Sequence, residues 1–104
     1  MAGKYYMGID TGTYETKGVL LDEAGHVVAE SHAPHEPENP RPNFFENDVE
    51  GVWWRDFCIV SKSLLQTSGV LPNTVACLGI SVMGPDVVAV DEDCRPLRKA
   101  ILYG

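Results

Sequence analysis

The sequence predicts an α/β protein: a three-stranded antiparallel meander, one amphipathic helix, a central strand parallel to the first, and a closing hairpin. Short apolar runs separated by turns rich in Gly, Thr and Asp fill the first third of the chain. Apolar residues at helical spacing follow between Val49 and Leu64. Then VACLGIS, residues 75–81, is almost wholly apolar without strict alternation, the pattern of a strand covered on both faces.

Tyr5 to Ile9 form the first strand, ending at Asp10, and Thr11-Gly12-Thr13 turns the chain into a second strand over Thr16 to Asp22. Glu23-Ala24-Gly25 is the next turn and Val27 to Ala33 the third strand. From Pro34 to Asn47 the chain carries four prolines, at 34, 37, 40 and 42. Each removes a backbone donor and disfavours helix in the residue before it, which predicts an extended surface connection. Asp48 can cap a helix, and Val49, Trp53, Phe57, Val60 and Leu64 share one face of it until Gly69 provides a stop. After Pro72 and Asn73 the apolar strand is expected in mid-sheet. A Gly84-Pro85 break and an Asp91-Glu92-Asp93 turn then define a last hairpin, from Val87 to Leu102.

At 104 residues the chain is one domain at most, able to bury roughly two-thirds of the surface its unfolded form exposes. Its 44% hydrophobic and 22% charged residues exclude a disordered tail and a disulfide scaffold. Fifteen acidic against eight basic residues give a net charge of -7, which disfavours nucleic acid and membrane surfaces as partners. A small anionic ligand stays compatible, because a local Lys, backbone N–H groups or Mg²⁺ outweigh distant charge. Cys58, Cys77 and Cys94 are widely spaced and odd in number, as expected of reduced thiols. The start MAGKYYMGID meets Asp10 before any long apolar run, so a cytoplasmic location is expected. If VACLGIS is central, something outside this chain covers its far side, or the exposed face drives self-association as a homodimer.

The stretch GIDTGTYETKG, Gly8 to Gly18, carries the most chemical information. A turn built on Gly12 and Thr13 can aim N–H groups and hydroxyls at phosphate oxygens, with Asp10 beside it for Mg²⁺ and Lys17 as a compact positive charge. Read alone, the same residues also make a plain hairpin with an exposed lysine. SVMGPD, Ser81 to Asp86, is either a pocket-forming loop or a tight connection between strands. Asp48 reads as a cap, and Trp53, Trp54 and Phe57 as packing. His26, His32 and His35 have no partner cluster and read as surface residues. Arg95, Arg98 and Lys99 read as solvated charges.

The segment D-x-G-T-x-x-x-K after a first strand resembles the phosphate-binding hairpin of the actin-like ATPase superfamily. FFENDVEGVWW, VACLGIS and DEDCRPLRKAILYG resemble, in order and spacing, segments of the FGGY-family carbohydrate kinases, with xylulokinase-like members most similar. The resemblance runs from Met7 to Gly104 and implies a ribonuclease H-like fold, present in part. Residues 1–104 would then be the N-terminal part of the first domain of a longer kinase that transfers the γ-phosphoryl group of ATP to a small ketose or polyol.

By the same resemblance Asp10 is the Mg²⁺-associated aspartate, Thr11, Gly12, Thr13 and Lys17 face the nucleotide phosphates, and Met83, Gly84, Pro85 and Asp86 line the sugar pocket. Met83 and Pro85 stand where xylulokinases carry Gln and His, which speaks against D-xylulose itself. Glu46, Asn47 and Asp48 match the family's E-Q-D segment. The catalytic base is implied to lie beyond Gly104, so the chain alone is expected to be inactive. The alternatives are a non-enzymatic ribonuclease H-like assembly module, or an ATPase of this superfamily without a sugar substrate.

Overall fold

Strands β1 (Tyr5–Thr11), β2 (Glu15–Leu21) and β3 (Val27–Pro34) form the expected meander in the computed structural model, which describes residues 3–103. Met1, Ala2 and Gly104, included in the expected single domain, lie outside the described residues. The turn between β2 and β3 is tied by Asp22, whose Oδ1 accepts the N–H groups of Ala24 and His26 at 2.9 Å each. The His26 backbone N–H, foremost, holds the Asp22 carboxyl below its ordinary range.

Further along, β4 (Glu38–Arg41), β5 (Phe44–Asn47), α1 (Arg55–Ser68), β6 (Val75–Val82) and β7 (Ala100–Ile101) complete the architecture. The main sheet has the order β3-β2-β1-β6, with β6 parallel to β1 and the other pairs antiparallel. Side chains alternate across it. Met7, Ile9 and Leu20 point to the helix side and meet Val60 and Leu64 of α1, with Ala33 completing the core.

Gly18 lies under the helix. A Cβ there would sit 2.5 Å from Val60 Cγ1 and 3.0 Å from Leu64 Cδ1, so only glycine allows this close approach. Gly18→Ala is expected to destabilise the fold by about 1–3 kcal/mol through overpacking, read as a lower urea midpoint at constant slope. An unchanged midpoint would show that helix and sheet are farther apart.

The apolar strand is parallel to the first, as expected, yet β6 is an edge of the sheet among the described residues rather than its middle. Leu78, Ile80 and Val82 are 43%, 62% and 60% exposed. The expected cover on both faces is absent among the described residues: β6 is exposed from Ala76 to Val82, because the 14-residue α1 packs over β2 and β3 and does not extend over β6.

Asp48 caps as expected, its side chain accepting from Gly51 N–H. What it caps is a π-helical segment, Val49–Trp54, from which α1 continues. Gly69 ends α1 in the left-handed region at φ 73, its N–H bonded to the Leu65 carbonyl. Trp53 is half-buried, whereas Trp54 is largely exposed and stacks on Phe57 with ring centroids 5.3 Å apart.

The proline-rich segment, expected as an extended surface connection, is extended but regular. β4 and β5 form a hairpin whose turn places Pro42 before Asn43 at φ 66, the requirements of a type II turn. Pro40 is tolerated because β4 is the outer strand of a second sheet of order β4-β5-β7. The closing hairpin forms as expected: Val87 and Ile101 exchange backbone bonds of 2.9 and 2.8 Å, and Asp91 Oδ1 caps the turn through Asp93 and Arg95 N–H. Two of the basic residues read as solvated charges are half-exposed and paired here, Arg98 with Glu46 and Lys99 with Glu38 at 2.7 Å. The Glu38 hydrogen bond raises the Lys99 pKa. No helix among the described residues is long and apolar enough to cross a membrane.

Candidate functional site

In the β1–β2 ladder Asp10 and Lys17 are directly opposed, so their side chains emerge on the same face of the sheet. That face is the one away from α1. Lys17 Nζ lies 3.7 Å from Asp10 Oδ2, with the side chains 55% and 45% exposed. A pair this exposed contributes at most about 1 kcal/mol to stability, so both groups are free to turn to a ligand.

Around them is an open hollow of about 430 Å³ lined by Gly8, Asp10, Lys17, Val19, Gly79 and Ser81 among others. Its floor is bare. A Cβ on Gly79 would meet nothing within 4 Å, and one on Gly8 only the Val19 side chain at 3.6 Å. A carboxylate, an ammonium and exposed backbone on one shallow face suit a polyanion accompanied by a cation. Among the described residues no group of three or more His, Cys, Asp or Glu side chains could hold a metal unaided.

Thr11 is turned the other way. It is 6% exposed and lies on the helix side of the sheet, so its side chain does not join Asp10 and Lys17. Gly12 closes the turn by donating its N–H to the Glu15 carbonyl at 2.9 Å. Thr13 stands at the tip, its hydroxyl donating to Met83 Sδ at 3.3 Å and sharing a 2.8 Å hydrogen bond with the Tyr103 hydroxyl.

Those bonds join the turn to the loop after β6. Met83 is half-buried, and Gly84 and Pro85 are exposed. Asp86 Oδ1 accepts the Tyr103 N–H at 3.1 Å, while its Oδ2 is buried and has no partner among the described residues. A second cleft of about 220 Å³ opens between Thr13, Tyr14, Pro37, Phe45, Leu102 and Tyr103. Glu46 is engaged by Arg98, and the fully buried Asn47, with its amide oriented to satisfy both ends, accepts the Trp53 indole N–H at 3.1 Å.

His35 corrects its reading as a surface residue. His26 and His32 are exposed as expected, but the His35 side chain is only 2% exposed. Its Nδ1 lies 2.9 Å from Asp56 Oδ2 and its Nε2 2.8 Å from the Gly12 carbonyl oxygen. Asp56 is itself 1% exposed and takes two N–H groups of Arg55 on Oδ1. Sequence reading took His35 for a surface residue and passed over Asp56, although a carboxylate four positions before Val60 and eight before Leu64 sits on the buried stripe of a helix.

A mixed sheet with a helix on one side, a first hairpin bearing an opposed Asp and Lys, and a parallel strand beside it form a partial ribonuclease H-like layer of the actin-like ATPase type. Residues 5–104 match the N-terminal domain of the FGGY family of carbohydrate kinases. The chain is 29% identical over 100 residues to glycerol kinase of Nostoc sp., covering 95% of this chain and 20% of that protein. It is 32% identical to the probable L-xylulose kinase of Haemophilus influenzae, covering 94% and 20%. The crystal structure of xylulose kinase from Rhodospirillum rubrum superposes with a TM-score of 0.82 at 27% identity, over 95% of this chain and 20% of that one. The chain therefore belongs to the FGGY family of carbohydrate kinases, and it spans about a fifth of the length of these relatives.

Proposed function

We propose that residues 1–104 form the N-terminal part of the first domain of an ATP-dependent kinase acting on a small polyol or ketose, and supply its grip on the nucleotide phosphates. The observation that carries this reading is the opposed Asp10 and Lys17, 3.7 Å apart over a floor of bare glycines. Mg²⁺ suits Asp10, because this ion sheds water reluctantly and is held by one or two carboxylates together with substrate phosphates. When bound, it would neutralise charge on the transferring phosphoryl group.

Lys17 adds a point charge to the same oxygens, and the turn at Gly12 and Thr13 adds backbone and hydroxyl donors. Met83 to Asp86 would face the acceptor; their adjacency to Thr13 supports a site in which phosphate grip and acceptor pocket share a border. On this reading the base for the attacking hydroxyl comes from the rest of the polypeptide, and residues 1–104 alone are expected to be inactive.

The test is phosphoryl transfer by the full-length polypeptide. ADP release is expected to rise on adding polyols or ketoses, and Asp10→Ala to lower that stimulated rate by about 10²–10³-fold with the fold retained. ADP release that no polyol or ketose stimulates would leave a bare ATPase. A stimulated rate unaffected by Asp10→Ala would remove the phosphate role from this hairpin.

A further inference from the structure

His35 touches the first hairpin twice. Its backbone N–H donates to the Tyr14 carbonyl at 2.8 Å, and its ring Nε2 reaches the Gly12 carbonyl at 2.8 Å. A carbonyl oxygen only accepts, so Nε2 carries a proton and donates. The two carbonyls flanking Thr13 are thus drawn toward one residue.

Peptide planarity turns this into a statement about donors. The Gly12 carbonyl and the Thr13 N–H belong to one trans peptide, in which C=O and N–H point in opposite directions. Drawing the carbonyl inward to His35 sends the Thr13 N–H outward, away from the buried ring. The Tyr14 carbonyl does the same for the Glu15 N–H. Asp56, on α1, fixes the ring itself through Nδ1 at 2.9 Å, and Arg55 occupies the other carboxylate oxygen.

We propose that His35, held by Asp56, is a positioning residue that sets the Gly12–Thr13 peptide so that the Thr13 N–H is presented to a phosphate oxygen. The proposal rests on the kinase reading above for the identity of the anion, and on geometry alone for the setting of the peptide. A donor fixed before the ligand arrives costs no reorganisation on binding, which is why a buried brace behind a turn bears on affinity.

The test uses the full-length polypeptide with MgADP as probe. The double variant His35→Phe/Asp56→Leu removes both polar groups, leaving neither without its partner, and keeps a ring at 35 and a branched side chain at 56. It is expected to unfold cooperatively like wild type, yet to exchange the Gly12 amide hydrogen about tenfold faster and bind MgADP about tenfold more weakly, the worth of one hydrogen bond to a charged group. His35→Gln, which keeps an amide donor, should recover part of both losses.

A role confined to stability would lower the unfolding midpoint and leave the MgADP affinity of the folded protein unchanged; that result overturns the proposal. If the double variant does not fold, Asp56→Asn decides. It keeps volume and one acceptor oxygen while loosening the ring, and wild-type affinity and exchange in that variant also overturn the proposal. A wild-type protein that ignores MgADP removes the phosphate role together with the kinase reading, and Gly12 exchange then tests the brace by itself.

Discussion

Asp56→Ala is expected to cost the fold about 3–5 kcal/mol, the penalty for removing one partner of a buried, hydrogen-bonded polar pair. The carboxylate is 1% exposed and meets His35 Nδ1 at 2.9 Å and Arg55 Nη2 at 2.9 Å. Without it the imidazole stays enclosed between turn and helix, while Arg55, 53% exposed, returns to water. Against a total of about 5–15 kcal/mol for a typical domain, this leaves a marginal protein. Urea unfolding of the variant should show a much lower midpoint with the slope retained. A loss below about 1 kcal/mol would match a solvated surface pair instead.

Leu64→Ala should cost about 2–5 kcal/mol, since the side chain is 0% exposed and its neighbours are poorly able to collapse onto the space it leaves. Gly18, directly opposite, has no side chain with which to fill the gap. The sheet under that glycine is rigid backbone. Thermal unfolding and urea midpoints should both register the loss, and Leu64→Met, which conserves volume, should cost less than about 1.5 kcal/mol. Equal costs for Ala and Met would mean that shape rather than lost volume governs the contact.

Much of this architecture is legible in the residues. The meander follows from turns too short for anything but antiparallel neighbours, and the opposition of Asp10 and Lys17 follows from the register that such a turn imposes. Gly69 marks the helix end because only a left-handed residue continues the chain there. The β4–β5 hairpin is missed when proline is read only as a breaker; Pro42 followed by Asn43 is also a turn former. The edge position of β6 is hidden because an apolar run reports how many faces are oily and not which strands lie beside it.

His35 and Asp56 are hidden for a different reason. They are 21 positions apart, joined only when β3 and α1 pack, and no local pattern couples them. One clue was present: a charged residue in phase with Val60 and Leu64 must either face water or find a partner. The Thr11 side chain lies on the face opposite that of Asp10, since neighbours along a strand point to opposite sides of the sheet.

Thr13 owns a single hydroxyl proton, and in this structure it is lent to a thioether, with Tyr103 supplying the other hydrogen bond. Sulfur of that kind is a feeble host. Reassigning the proton to any harder oxygen therefore sacrifices little, so the tip of the turn is held without being locked.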